Sequence, residues 1–394
     1  MPSITFDLET VTPLFLAGAN QKTAELRPPA FRGALRYWFR AIAASITTTE
    51  YAKEWEKEVF GSTEAGGTVI IRVKAEKTTS SCLLEPNDEL SGLSYLFFSL
   101  YEDKKGDFRG CFPPECQFQL TLQTRLSTPK AQQCFQLAIG AMWMLVYLGG
   151  VGSRSNRGAG NLKVTKEPKP SKLEQIKFII QATNLNQLSS EISAGVEAVK
   201  KLYRDIIGSE NISLTAPTDF DIIEPQTAKA YLWQSPYVEE NEYWDNLLDS
   251  LGKNYQQFRR RYKDASQDDY PQVKEWLRSR GQEGVTTIKR AAFGLPIQFY
   301  FTSLPKNQNK ASLEATGGIN RSASPLHFKV MMMNNEELAI LILHFQTNLL
   351  PNNSKLRLTS KTVQRSATFA APNQDIIDKE FIPQLGNLTS VIIR

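Results

Sequence analysis

GGVGSRSNRGAG, Gly149–Gly160, decides how the first half of the chain is read. The apolar run Ala131–Leu148 before it has helical character, and Asn161–Lys166 after it has strand character. Its five glycines permit φ > 0 and leave no side chain between the backbone and a ligand. Successive N–H groups in such a loop can line an anion-binding concavity. Guanidinium forks match phosphate oxygens two at a time. The stretch therefore reads as a phosphate-backbone contact, with Gly150, Gly152, Gly158 and Gly160 allowing close approach and Arg154 and Arg157 supplying charge. The plainer reading of the same residues is a flexible linker with two solvated arginines.

The order of the flanking elements excludes the common nucleotide motifs. A Walker loop runs strand, loop, helix and ends in Gly-Lys-Ser/Thr, and the dinucleotide fingerprint also opens a helix after a strand. Here a helix leads into the loop and a strand leaves it, so mononucleotide hydrolysis has no support.

Working outward, Ser3–Phe15 alternates as a half-buried strand. Arg27-Pro28-Pro29 starts a helix over Ala30–Ala44, since proline suits a first turn. Leu35, Trp38, Phe39 and Ile42 form its apolar face, and Arg32, Arg36 and Arg40 recur every four residues as a basic stripe beside it. That stripe suits phosphate contact; pairing of Arg36 or Arg40 with carboxylates of a neighbouring element is the alternative. Gly67–Lys77 and Gln117–Leu126 read as strands. Strand, helix, strand, strand, helix, strand is the order of the ferredoxin-like, or RRM-type, fold. An extra segment between Thr78 and Glu115 has no place in that order.

After Pro168-Lys169-Pro170 the pattern changes. Leu173–Ile207 and Trp244–Lys263 carry helical periodicity. The Leu248, Leu251, Tyr255, Phe258 and Tyr262 stripe reads as packed core rather than a platform for bases. Arg259-Arg260-Arg261 beside it is either a solvated face or a phosphate contact. Strand character returns at Ala291–Thr302 and Ser324–Met333, with Leu338–Leu343 and Leu356–Leu358 as partners. The 394 residues are long for one core. The fold class expected is α+β: an N-terminal domain over 1–170, and a C-terminal domain over 171–394 with a helical insertion at about 171–287.

A net charge of +5 with pI ≈ 8.8 is compatible with nucleic acid and does not by itself identify it. Cys82, Cys111, Cys116 and Cys134 form no CxxC pair, and His327 and His344 lie far from them, so neither a structural zinc nor a disulfide framework is expected. No secretory signal opens the chain, and its longest apolar stretches are too short to span a bilayer. A cytoplasmic protein with no membrane partner and no cofactor is the expectation. His344 in ILILHFQ reads as a buried, hydrogen-bonded histidine, and His327 is a weak candidate for acid–base work. The carboxylate pairs Asp7/Glu9 and Asp219/Asp221 are assigned no function.

AELRPPAFRGALRYWF (Ala24–Phe39) together with the glycine loop resembles the RAMP superfamily of CRISPR-associated proteins. The opening ITFDLETVTPLFLAGA, KRAAFGLPI (Lys289–Ile297) and RSASPLHFKV (Arg321–Val330) are similar, in the same order, to its family of first subunits of the type III-B, or Cmr, RNA-guided complex. Roughly Ser171–Thr287 carries no such likeness. The resemblance implies two ferredoxin-like domains and partnership with CRISPR guide RNA, target RNA and the other Cmr complex subunits, near the 3′ region of the guide. It also implies that cleavage of target belongs to other subunits. The chain is thus expected to be a non-catalytic RNA-binding subunit in antiviral defence. A guide-processing RAMP endoribonuclease and a purely protein-contacting scaffold are the rival expectations.

Overall fold

The computed structural model describes residues 1–75, 82–85, 87–101, 108–168, 175–208, 214–236, 243–260, 269–317, 321–351 and 354–393. The first unit is built from β1 (Ser3–Thr10), α1 (Pro28–Ala43), α2 (Thr49–Phe60), β2 (Val69–Ala75), β3 (Cys82–Leu83), α3 (Ser91–Leu96), β4 (Gly110–Cys111), β5 (Gln117–Thr124), α4 (Pro129–Leu148) and β6 (Leu162–Val164). β2, β5, β1 and β6 form, in that order, a fully antiparallel sheet. β1 and β5 alternate strictly, sending Ile4, Phe6, Leu8, Phe118, Leu120 and Leu122 into the core. Thr5, Asp7, Glu9, Gln117, Gln119 and Thr121 share the opposite face, where Gln119 donates to Asp7 and Gln117 to Glu9 at 2.8 Å. Asp7 and Glu9 thus serve cross-strand pairing. The first strand ends at Thr10 rather than at Phe15, because Val11–Leu16 turns into loop contacts with Asn161 and Phe112.

Helix starts follow the sequence chemistry. Pro28 and Pro29 occupy the first turn of α1, and the Thr128 hydroxyl accepts from Ala131 N–H at 3.2 Å to cap α4. α4 is buried nearly all round, lying against α1, α2, α5 (Leu185–Ile207) and the first sheet. Leu173–Ile207 is helical only from Leu185, and 169–174 lies outside the described residues.

The second unit continues with β7 (Ala228–Trp233), α6 (Trp244–Arg260), α7 (Asp269–Arg278), β8 (Ile297–Tyr300), β9 (Lys310–Ala315), β10 (Leu326–Met332), β11 (Leu338–Phe345), β12 (Leu356–Ser360), β13 (Arg365–Phe369), a π-helical turn (Ile377–Phe381) running into α8 (Ile382–Leu385), and β14 (Leu388–Val391). Its main sheet is antiparallel in the order β10-β11-β7-β14. This corrects the expected helical insertion at about 171–287: that stretch holds β7, a central strand, and α6, the helix that packs on the second sheet. The true outgrowth is a third sheet, β13-β12-β9-β8, made of one hairpin preceding β10 and another following β11. Leu356–Leu358 pairs within it, with β9 and β13, and not with β10. The strand expected at Ala291–Thr302 starts only at Ile297, after a 3-10 turn over Lys289–Phe293.

β11 explains its unbroken apolar run LAILILHF by burial on both faces. Ala339, Leu341, Leu343 and Phe345 enter the core shared with the first unit, while Ile340 and Ile342 enter a second core with α6 and α8. Leu248, Leu251, Tyr255 and Phe258 of α6 are packed in that second core; Tyr262 and Arg261 lie outside the described residues. The unplaced segment of the first unit docks here too. Asp249 of α6 accepts from Gly92 N–H and Leu93 N–H at 2.7 and 3.0 Å, capping α3, and Gly92 faces Gly252 where any Cβ would collide with backbone. Residues 76–81, 86 and 102–107 of that segment are outside the described residues.

Candidate nucleic-acid interface

The glycine loop is a wedge between the two units. Val151 packs in the first core and Ala159 in the second. Ser153 N–H donates to Phe15 O, Gly160 N–H to Pro13 O, and Val151 N–H to Gly160 O, at 2.9, 2.8 and 3.0 Å. Asn161, just beyond, accepts from Val330 N–H at 2.7 Å through its side chain, so the strand leaving the loop is tied to β10. A flexible linker is excluded by these bonds. Gly152 and Gly160 have φ of +89° and +62°, and a Cβ would lie 2.4 Å from Phe15 O and 1.9 Å from Val151 O. Gly150 faces the Asn161 amide and Gly158 the Leu248 side chain. The glycines are required first by close approach of the protein to itself.

The two loop arginines have different partners. Arg157 donates from Nη1 to the carbonyls of Asn156 and Leu326 at 3.0 and 2.7 Å, from Nη2 to Tyr255 Oη at 3.3 Å, and its guanidinium lies over the Tyr255 and Phe328 rings. It staples loop, β10 and α6. Arg154, at φ +60°, donates from Nε and Nη2 to Phe98 O at 3.2 and 2.8 Å. Among the described residues neither guanidinium meets a carboxylate. Burial lowers the Arg154 pKa, and the neighbouring Arg157 charge lowers it further.

The helix stripe is divided. Arg36 Nε and Arg40 Nη1 both reach Glu56 Oε1 of α2, at 2.5 and 2.8 Å, and Arg36 also donates to Gly61 O. The alternative reading of pairing with a neighbouring element describes these two. Arg32 is exposed and, among the described residues, its side chain has no hydrogen-bond or ion-pair partner. The structure therefore does not bring Arg32, Arg36 and Arg40 together with the loop as a single row of open cations.

A cation that the sequence pattern missed stands closer to the loop. Arg109 lines a cleft of about 250 Å³ with Gly152, Ser153, Phe15, Gly18 and Gln21. Gly110 brings it there, because any Cβ at that position would lie 2.3 Å from Lys22 O. An Arg-Gly dipeptide was the only signal in the sequence, and it carries no periodicity.

Neither histidine is presented to a ligand in the manner of an acid–base pair. His327 is buried against Tyr37, Trp38 and Phe345, and Asn156 Nδ2 donates to its Nε2 at 2.9 Å. Burial, aided by Arg157, pushes its pKa down to about 3. His344 is buried with Nδ1 2.7 Å from Asp378 Oδ1. Burial would raise the Asp378 pKa, but hydrogen bonds from His344, Lys229 and Gln346 hold it below the usual carboxylate range. Asp219 accepts from Asn348, and Asp221 from Tyr37. No helix among the described residues is long and apolar enough to cross a membrane.

Residues 7–163 match the RAMP superfamily model. The chain is 26% identical over 350 residues to the CRISPR system Cmr subunit Cmr1-1 of Pyrococcus furiosus, covering 88% of each. It is 32% identical over 177 residues to Cmr1-2 of the same organism, covering 40% of this chain and 93% of that one. The crystal structure of apo Cmr1 from Pyrococcus furiosus superposes with a TM-score of 0.61 at 22% identity, over 99% of both chains. A chain of the type III-B Cmr-beta complex bound to cognate target RNA gives 0.51 at 15% identity, over 87% and 94%. These two structures share the fold. With the family match and the Cmr1 likeness falling on a chain that has this loop at its centre, the protein belongs to the RAMP superfamily of CRISPR-associated proteins, within its Cmr1 family.

Proposed function

We propose that this chain is a non-catalytic, RNA-binding subunit of a type III-B CRISPR effector complex in the cytoplasm, touching the 3′ region of the guide RNA and the target RNA beside its sister subunits. The β2-β5-β1-β6 and β10-β11-β7-β14 sheets are read as the sheets of two ferredoxin-like domains joined through the loop, since each chain segment runs strand, helix, strand, strand, helix, strand once its insertions are set aside. The observation that carries the reading is electrostatic. Arg154, Arg157 and Arg109 have no carboxylate partner among the described residues, so no described ion pair offsets the positive charge of the loop and its cleft, and Arg32 is a further exposed cation on α1. A polyanion is the ligand such a surface attracts, and phosphate contacts need no base reading where a guide supplies pairing.

Sequestration of both imidazoles supports a binding role over self-contained RNA hydrolysis. In this reading Arg109 and Arg32 touch phosphate, whereas Arg154 and Arg157 shape the loop and contribute field. The test is the complex reconstituted with the R32A/R109A chain. RNA affinity should fall, and the slope of log K against log salt should become shallower by about 1 for each phosphate that is no longer neutralised. Unchanged affinity and slope would overturn the proposal in favour of a protein-contacting scaffold.

A further inference from the structure

Phe98 sits at the turn after α3 with its side chain 70% exposed, and among the described residues it is the one phenylalanine so placed. Its direction is fixed. Phe97 and Leu100 on either side are buried at 0% and 2%, and Phe97 packs edge-on to Phe15 at 5.9 Å and stacks on Trp244 at 6.3 Å. Ser99 takes φ +74°, a left-handed conformation uncommon for a residue with a Cβ. The Phe98 carbonyl is gripped by both donors of Arg154, which is itself at φ +60°. Two strained residues and a charge-assisted bond thus hold an apolar ring out in water, where an exposed tyrosine would at least hydrate its hydroxyl. Strain of this kind clusters at ligand sites.

We infer that Phe98 is a stacking platform for one nucleobase of single-stranded RNA whose backbone runs past the Gly152, Ser153 and Arg109 cleft. The inference rests on the RNA-binding reading of the loop and adds a base contact to it. Three observations favour RNA over a protein partner. Arg154, the residue gripping Phe98, follows Ser153 of the cleft in sequence and carries charge unmatched by any described carboxylate. A solvent-facing aromatic ring, with its own carbonyl held by an arginine that adjoins an open, glycine-containing cleft, suits the binding of single strands without reading their sequence. The polar face of the first sheet, where RRM-type domains place their stacking rings, offers only Ser3, Thr5, Asp7 and Glu9 from β1 and Gln117, Gln119, Thr121 and Gln123 from β5. A base therefore has no ring to stack on along those two central strands.

The test uses the complex reconstituted with full-length chain and guide, and target RNA carrying 2-aminopurine at successive positions. One position should be quenched on binding. F98A should abolish that quenching and weaken RNA binding by about 5- to 100-fold, with the salt slope unchanged, while F98W restores both. R109A should instead reduce the salt slope and keep the quenching. If R109A weakens binding and F98A does not, the platform is refuted and the phosphate reading stands. If neither variant changes RNA binding, both fall. If F98A sheds a sister subunit while assembled particles bind RNA normally, Phe98 is a protein contact and the inference is overturned.

Discussion

The Arg157 guanidinium donates to the Leu326 carbonyl at 2.7 Å, joining the glycine loop to the first residue of β10. The same side chain reaches Tyr255 of α6, so one residue ties three elements around the second core. R157A is expected to destabilise the chain by about 2–4 kcal/mol, since carbonyls that stay buried are deprived of a charged donor. R157K keeps the charge but not the fork and should recover little of it. Urea unfolding of both variants checks this, with R109A as the control that leaves stability unchanged.

Gly160 and Gly33 separate two uses of glycine. Gly160→Ala forces a Cβ against Val151 O at φ +62° and should cost more than about 3 kcal/mol or prevent soluble expression. Gly33 lies within α1 with nothing within 4 Å of its missing Cβ, and Gly33→Ala should stabilise by about 0.5–1 kcal/mol. Thermal melts of the pair give opposite signs.

Stability should depend on pH through two buried bases. Lys329 is buried with its ammonium donating to Leu162 O at 3.3 Å, and burial lowers its pKa from 10.5 to about 7. His327 falls from 6.5 to about 3. In each window the unfolded chain binds the extra proton, so stability rises with pH from about 3 to 6.5 and again from about 7 to 10.5. The upper rise should amount to a few kcal/mol and should flatten in K329M. Chemical denaturation between pH 6 and 10 checks it.

Cys82 and Cys111 face each other across the β3–β4 ladder with sulfurs 2.9 Å apart, while Cys116 and Cys134 are buried elsewhere. Diamide should therefore join Cys82 and Cys111 selectively. Intact-mass analysis should show a loss of two hydrogens, absent in C82S, and thiol titration of the denatured chain should fall from four to two.

Local chemistry made much of this fold legible. The proline pair before α1, the Thr128 cap, the alternation of β1 and β5 and the double-faced apolar run of β11 each announce an element in its own residues. What stayed hidden depended on pairing across long separations. Ala228–Trp233 is six residues long and carries a lysine, and only its ladders with β11 and β14 make it a central strand. The third sheet joins hairpins separated by β10 and β11, which no local pattern encodes. At the site, the loop stood out through its glycines, yet the partners of its arginines did not. Glu56 reaches Arg36 and Arg40 because α2 folds back on α1, and the Phe98 carbonyl reaches Arg154 across 56 residues. Arg109 had no pattern at all; a glycine beside it does the positioning.

The first core draws residues from both units: Phe6 and Leu120 from one sheet, Leu341, Leu343, Ala230 and Leu232 from the other. Such sharing leaves no hinge at the join. The halves should melt as one cooperative body, and separate expression of either should give an insoluble fragment with a raw apolar flank. Under the RNA-binding proposal, an incoming strand would have to be accommodated at the surface, near Phe98 and Arg109, and not by the halves swinging apart.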